Sequence, residues 1–269
     1  MTPARTTATR LADIDRQLTE RDREVIALLS RVRIATTKQV ERVCFVESTA
    51  GANARASRRV LSKLEQLGLA ARLSRRVGGV RAGSAGLTWS LGVTGQHFAN
   101  RLGPAGADRR SPWTPSQPYL AHHVAVTDVF VRLREAQDRG DGELLAFDTE
   151  PACWRRFIGP GSQVLTLKPD AYVVTATAAF EDSAFLEIDL GSESPSVLRR
   201  KIAAYLLYRR TGREEREHGV FPFVVFIVPG ERRAAAVAQV LAPLPTSDLA
   251  LFRVVLSTES SAALMGGTP

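Results

Sequence analysis

Cysteine is nearly absent from the 269 residues: Cys44 and Cys153 are the only two, far apart and each in an apolar setting. That excludes a disulfide framework and a cysteine-built zinc site. Long hydrophobic runs are missing as well. No stretch of 18 or more apolar residues occurs, so there is no candidate membrane span. The opening MTPARTTATRLADIDRQ lacks the apolar core of a secretory signal, and a cytoplasmic protein is the expectation. A phosphate-cradling glycine loop, a nucleophile elbow and an HExxH pair are also absent. The three tryptophans, Trp89, Trp113 and Trp154, are scattered, which suits packing better than base stacking. There are no internal repeats.

Charge is abundant and unevenly placed. Residues 1–118 carry 20 Lys/Arg against 9 Asp/Glu, a net of +11, whereas residues 119–269 carry 16 against 19, a net of −3. The overall +8 therefore belongs to the N-terminal half, and such asymmetry points to nucleic acid or another polyanion. An Arg-rich chain with merely solvated charge has the same composition, so the arrangement has to decide.

The stretch LTERDREVIALLSRV has a T-x-x-D helix start at Thr19, followed by an apolar stripe at Val25, Leu28, Leu29 and Val32. TTKQVERVCF predicts a shorter helix capped by Thr36 or Thr37. ANARASRRVLSKLEQLG predicts a third, ending at Gly68, with Val60, Leu64 and Leu67 toward a core. Arg55, Arg58, Arg59 and Ser62 occupy another face of that helix, and Lys63 adds to its charge. Two β-prone runs then flank a tip rich in Gly and Arg that holds Arg75, Arg76 and Arg81. Three helices and a basic hairpin predict a winged helix-turn-helix. Its third helix would offer arginines to guanine edges and phosphates of double-stranded DNA, and its wing would grip the backbone. Winged helices also serve as protein-interaction modules, usually without such a charge stripe.

LGPAGADRRSPWTPSQP, with four prolines, reads as a linker. Beyond it come a helix (YLAHHVAVTDVFVRLREAQDRG), three strands (ELLAFDTE, VLTLKPDAYVVTAT, AFLEIDLG), a helix with Leu198, Ile202 and Leu206 on its packing stripe, and an apolar central strand (GVFPFVVFIVPG). A further helix and strand follow. The predicted domains are a flexible N-terminus (1–18), a winged helix-turn-helix (19–101), a linker (102–118), an αβββαβ domain (119–258) and a flexible tail (259–269). The fold class is α/β (α+β). His122 and His123 are adjacent on a helix and diverge by about 100°, so packing explains them better than metal binding.

The acids of the second half fall on strands. In FLEIDLG, Glu187 and Asp189 alternate with aliphatics and point the same way. Like charges so placed require water or a cation over that face. Asp170 follows Pro169 at the head of its strand, and Glu150 ends the strand before. If the second and third strands are antiparallel neighbours, these acids converge as hard oxygen donors suited to Mg2+ or Mn2+. Lys201 and Tyr205, at i and i+4 on the following helix, reach for the same end.

The order of elements, with PD on the second strand and ExD on the third, resembles the PD-(D/E)xK nuclease-like superfamily. The run from HHVAVTDVFVRL through KPDAYVV and FLEIDLGSES to LRRKIAAYLLY resembles more narrowly the replication-relaxation family, over most of residues 19–228. The resemblance implies a winged helix joined to a nuclease-like domain on bacterial plasmids and mobile elements. It makes Asp170 and Glu187 the metal-binding acids and Glu150 the acid contributed earlier in the chain. Asp189 stands where an active nuclease usually has lysine, and Lys201 is the candidate substitute. Three functions remain open: a DNA-binding protein in replication, transfer or its control, a Mg-dependent nickase or endonuclease, and a protein-interaction adaptor. Replication or transfer proteins are possible further partners, and a homodimer is compatible with the sequence.

Overall fold

Threonine caps set the helices of the N-terminal part. In the computed structural model, which describes residues 7–46, 49–73, 86–102 and 117–266, Thr7 caps α1 (Ala8–Asp15) and Thr19 caps α2 (Glu20–Val32). The Thr19 cap is reciprocal. Its hydroxyl accepts from the Asp22 N–H at 3.2 Å, and Asp22 Oδ2 accepts from the Thr19 N–H at 2.8 Å. Past α2, β1 (Ile34–Thr36) leads into α3 (Thr37–Cys44), where Thr36 and Gln39 form a second capping box. Next come α4 (Ala50–Gln66), β2 (Ala70–Leu73), β3 (Thr88–Leu91) and α5 (Val93–Leu102). The three strands pair antiparallel in the order β1-β3-β2.

The chain divides into two compact units, Met1–Val131 and Arg132–Pro269, and the division falls within α6 (Gln117–Asp138). The sequence pattern assigned all of that helix to the second domain. Its first part belongs to the first unit because buried polar groups tie it there. Gln39 Nε2 donates to the Val124 carbonyl at 2.9 Å and to Asp128 Oδ1 at 2.7 Å, and the Thr127 hydroxyl donates to the Ile34 carbonyl at 2.6 Å. The N-terminal segment expected to be flexible forms α1, because Leu11 and Ile14 are buried. Arg75, Arg76, Arg81 and most of the proline-rich stretch lie outside the described residues.

The second unit is built on a five-stranded sheet in the order β10-β9-β8-β7-β4. β4 (Glu143–Thr149), β7 (Ala171–Ala176) and β8 (Glu181–Ile188) are antiparallel neighbours. β8, β9 (Phe223–Val228) and β10 (Phe252–Leu256) run parallel, with α7 (Pro195–Arg209) and α9 (Glu231–Leu241) between successive strands. One face of the sheet packs Phe185, Val224 and Phe226 against Leu198, Ile202, Tyr205 and Tyr208 of α7 and Val237 and Leu241 of α9. The α7 stripe thus turns to Tyr205 and Tyr208 where Leu206 was expected; Leu206 is only partly buried.

The strand expected over residues 164–177 is two. β5 (Arg155–Ile158) and β6 (Val164–Leu167) form a separate hairpin, and β7 starts afresh after Lys168-Pro169-Asp170. Proline has no N–H for a ladder, so the break falls where the sequence puts it. The sequence pattern also passed over α8 (Arg213–His218) and α10 (Thr246–Leu249). The expected flexible tail instead forms α11 (Ser260–Met265), with Leu264 and Met265 buried and the Leu264 carbonyl accepting from the Thr175 hydroxyl at 2.6 Å.

Gly68, at φ +72°, closes α4 in a left-handed conformation. The chain then runs so close to α5 that a β-carbon on Gly95 would stand 1.9 Å from the Leu69 carbonyl oxygen. Gly95→Ala should therefore destabilise the first unit. The helix-propensity gain is about 1 kcal/mol, while forcing backbone apart costs roughly 1–3 kcal/mol. A thermal melt of the Gly95→Ala chain, followed by circular dichroism, should shift to lower temperature.

Candidate functional site

The register of β7 and β8, with Ala171 opposite Leu186, places Asp170 across from Glu187 on the next rung. Directly opposed residues share a face. The Asp170 N–H donates to the Leu186 carbonyl at 3.0 Å, and Asp170 Oδ2 accepts from the Ile188 N–H at 2.7 Å. Glu187, 2% exposed on the central strand, faces α7. There Lys201 Nζ donates to its Oε2 and the Tyr205 hydroxyl to its Oε1, both at 2.6 Å. Lys201 and Tyr205 are one helical turn apart, which is why both meet one carboxylate. Lys201 also pairs with Glu193 Oε1 at 2.6 Å.

Burial pushes the Glu187 carboxyl up to about 7, with Asp170 adding to the rise and Lys201 and Tyr205 opposing it. Burial works to lower the Lys201 ammonium, but Glu187 and Asp170 outweigh it and hold the group above its ordinary value. Tyr205 is raised well above the usual phenol range by burial and by Glu187. A carboxyl poised near neutrality beside a charged lysine is an arrangement able to hold or release a proton.

Asp189 leaves this cluster. Its Oδ1 accepts from the Gly191 N–H at 2.7 Å, and its Oδ2 accepts from Arg233 Nε of α9 at 2.8 Å. Arg233 also donates to the Glu193 carbonyl at 2.7 Å. The two acids of FLEIDLG thus meet separate cations, Lys201 on α7 and Arg233 on α9. Sequence reasoning missed Arg233, although a second acid on a covered strand face demanded such a partner. Glu150 follows β4, and with Asp170 it raises the buried Cys153 thiol, whose pKa burial already lifts. The Cys153 thiol donates to the Pro169 carbonyl at 3.1 Å.

As a metal site this set is a poor fit. Its oxygens are of the hard type that Mg2+ or Mn2+ takes. Both Glu187 oxygens are engaged, however, one of them by a cation, and one Asp170 oxygen is held by the backbone. Among the described residues no three His, Cys, Asp or Glu side chains form a group able to hold a metal ion. A divalent ion at Asp170 and Glu187 would have to displace Lys201.

In the first unit, α4 buries Ser57, Leu61 and Leu64. This is a neighbouring stripe to the expected Val60, Leu64 and Leu67, of which Val60 and Leu67 are half-buried. With that face inward, Arg55, Arg58, Arg59 and Ser62 are exposed. Lys63 turns away from them and pairs with Asp22 Oδ2 at 2.6 Å, so it is a structural cation linking α4 to the α2 cap. Burial works to raise the Asp22 carboxyl, but Lys63 and Thr19 outweigh it and hold it below the ordinary value.

A family model described as replication-relaxation matches residues 26–224, about three quarters of the chain. The chain belongs to the replication-relaxation family. The matched span runs from within α2 into β9, and takes in the α4 arginines together with Asp170, Glu187, Asp189 and Lys201. Arg233 lies beyond it, so the cation that neutralises Asp189 comes from outside the stretch matched by the replication-relaxation model. No curated protein and no solved structure matches the chain.

Because the Glu187 pKa is raised in the fold from an ordinary 4.5 to about 7, the folded state binds the extra proton. Its contribution to stability is therefore lost as pH rises from about 4.5 to about 7. Glu187→Gln should remove that slope. The measurement is the difference in unfolding free energy between wild type and variant across pH 4–8, which also cancels the opposite acid-side trend from Asp22. A second substitution, Arg233→Met, leaves Asp189 buried without its cation. It should cost roughly 3 kcal/mol in a urea melt.

Proposed function

We propose that the protein binds double-stranded DNA of a plasmid or mobile element and acts in its replication, transfer or their control. The observation that carries this reading is the set of arginines on α4. Arg55, Arg58 and Arg59 are exposed on the helix whose opposite face fills the core. None of them has an ion-pair partner among the described residues, whereas Lys63 beside them is neutralised. Side chains with unspent charge on one helix face supply both phosphate contacts and guanine readout. The antiparallel β2–β3 pair that follows α4 supports a winged helix-turn-helix arrangement. In the second unit, acids closed by Lys201, Tyr205 and Arg233 favour a scaffold role for a PD-(D/E)xK-like domain.

A second reading, a metal-dependent nickase, is favoured by one observation: Asp170, Glu187 and Lys201 share one end of the sheet, with lysine reaching from the helix what the strand lacks at Asp189. It requires Mg2+ or Mn2+ to open the Glu187–Lys201 pair.

Gel shift across a salt series tests the first reading. Log K should fall steeply with log salt, by about 0.9 per phosphate neutralised. Arg58→Ala should weaken binding across sequences and reduce that slope by about 1. Binding indifferent to salt and to Arg58 would instead indicate a protein-interaction adaptor. Supercoiled plasmid with Mg2+ or Mn2+ tests the second reading: nicking abolished by Asp170→Ala establishes it, and intact plasmid in both metals removes it.

A further inference from the structure

Beyond an exposed basic helix, the first unit has a concave feature. A pocket of about 320 Å³ is lined by Arg21 of α2, Phe45 at the end of α3, and Ala52, Asn53, Arg55, Ala56 and Arg59 of α4. Three guanidinium groups therefore border one cavity. They are not equivalent. Arg21 is fixed: it pairs with Glu24 at 2.7 Å, donates to the Cys44 carbonyl and lies 5.5 Å over the Phe45 ring. Glu24 cancels its charge. Arg55 and Arg59 are one turn apart on α4, share a face, and have no ion-pair partner among the described residues. Among the described residues that line it, the pocket's uncancelled charge is then +2.

We infer that this pocket takes a phosphate monoester, held by Arg55 and Arg59 against the fixed Arg21. Two arguments favour a monoester over the diester of a continuous strand. A terminal phosphate carries close to two negative charges at neutral pH, about −1.5 to −2, which the two unpaired arginines match. A diester carries one. The volume also exceeds what a single backbone phosphate needs and falls in the range of small-molecule sites, about 300 Å³ upward. Planar guanidinium forks suit such a group, since each can donate two parallel bonds to its oxygens. The phosphate has two possible sources, a 5′-phosphorylated DNA end or a free phosphorylated small molecule. This inference deepens the DNA-binding reading and rests on it only for the first source.

The test uses the full chain. Melts in inorganic phosphate, against chloride at matched ionic strength, should show a rise in Tm that Arg59→Ala and, separately, Arg55→Ala remove. Both side chains are exposed, so neither substitution should unfold α4. Duplexes of one sequence with 5′-phosphate or 5′-hydroxyl ends identify the source. About ten-fold tighter binding of the phosphorylated duplex, abolished in the same variants, identifies a DNA end; such a ratio is the scale of one charge-assisted bond. Equal duplex affinities together with the phosphate-dependent rise identify a free phosphorylated molecule. The pocket assignment is overturned if the rise is absent with equal duplex affinities, or if it persists in both variants. Arg58 lies outside the pocket and separates the two readings. If Arg58→Ala weakens duplex binding while the pocket assays fail, DNA binding stands and the monoester site falls.

Discussion

A carboxylate on the middle strand of a five-stranded sheet has to be neutralised where it stands, and the second unit is arranged around that requirement at Glu187. Water cannot reach it, and the neighbouring Asp170 adds a second negative charge. Burying such a group uncompensated costs several kcal/mol, roughly as much as a small domain can spare. The solution comes from the crossover helix. α7 starts at Ser194 and Pro195, and its phase brings Lys201 and Tyr205 over the strand at successive turns. The same phase puts Leu198, Ile202 and Tyr208 into the aromatic core around Phe185. Packing and electrostatics thus choose one helix rotation together, which accounts for Tyr205 where a leucine stripe was the simpler expectation.

Among the described residues of the first unit the same device occurs at Asp22 alone. Asp22 is 1% exposed, serves as the reciprocal cap of α2 and receives Lys63 from α4. That pair ties α4 to the start of α2. With Lys63 turned toward Asp22 and Leu61 and Leu64 inward, Arg58 and Arg59 have no buried acid to serve among the described residues. Their charge is left for an external anion. The difference between the two halves in net charge, +11 against −3, is therefore also a difference in how the cations are used. Lys201, Arg155 and Arg233 answer internal acids; the α4 arginines do not.

Much of this was legible in the residues. Thr19-x-x-Asp22 named its own cap, Gly68 its helix end, and the apolar run of β9 its place between two strands. The meeting of Asp170 with Glu187 was legible only as a condition, that the two strands be antiparallel neighbours, and β7 and β8 meet it. Other features could not be read because they depend on relations at long range. The α4 core stripe runs through Leu61 rather than Val60, and Lys63 beside it pairs with a residue 41 positions earlier. The strand break at Pro169 was marked in the sequence, yet only the β5 partner shows that β6 belongs to a separate hairpin. The burial of α11 depends on its docking to Thr175, some 89 residues away. The last two leave no periodic trace, whereas Leu61 and Leu64 sit at helical spacing beside the Val60 stripe, and the periodicity does not choose between the two stripes.

Asp189 brings these constraints together. Asp189 is 2% exposed, and a carboxylate buried that far needs a cation beside it. Two cations stand nearby, Lys201 against Glu187 and Arg233 against Asp189. A lysine at 189 would face Arg233 across the same gap and repel it, whereas aspartate forms a two-nitrogen contact with it. The acid at 189 and the arginine on α9 are therefore one arrangement, and the lysine on α7 supplies the positive charge beside Glu187. In FLEIDLG each acid is paired with a helix-borne cation, and any ligand that needs Glu187 has to compete with Lys201 for it.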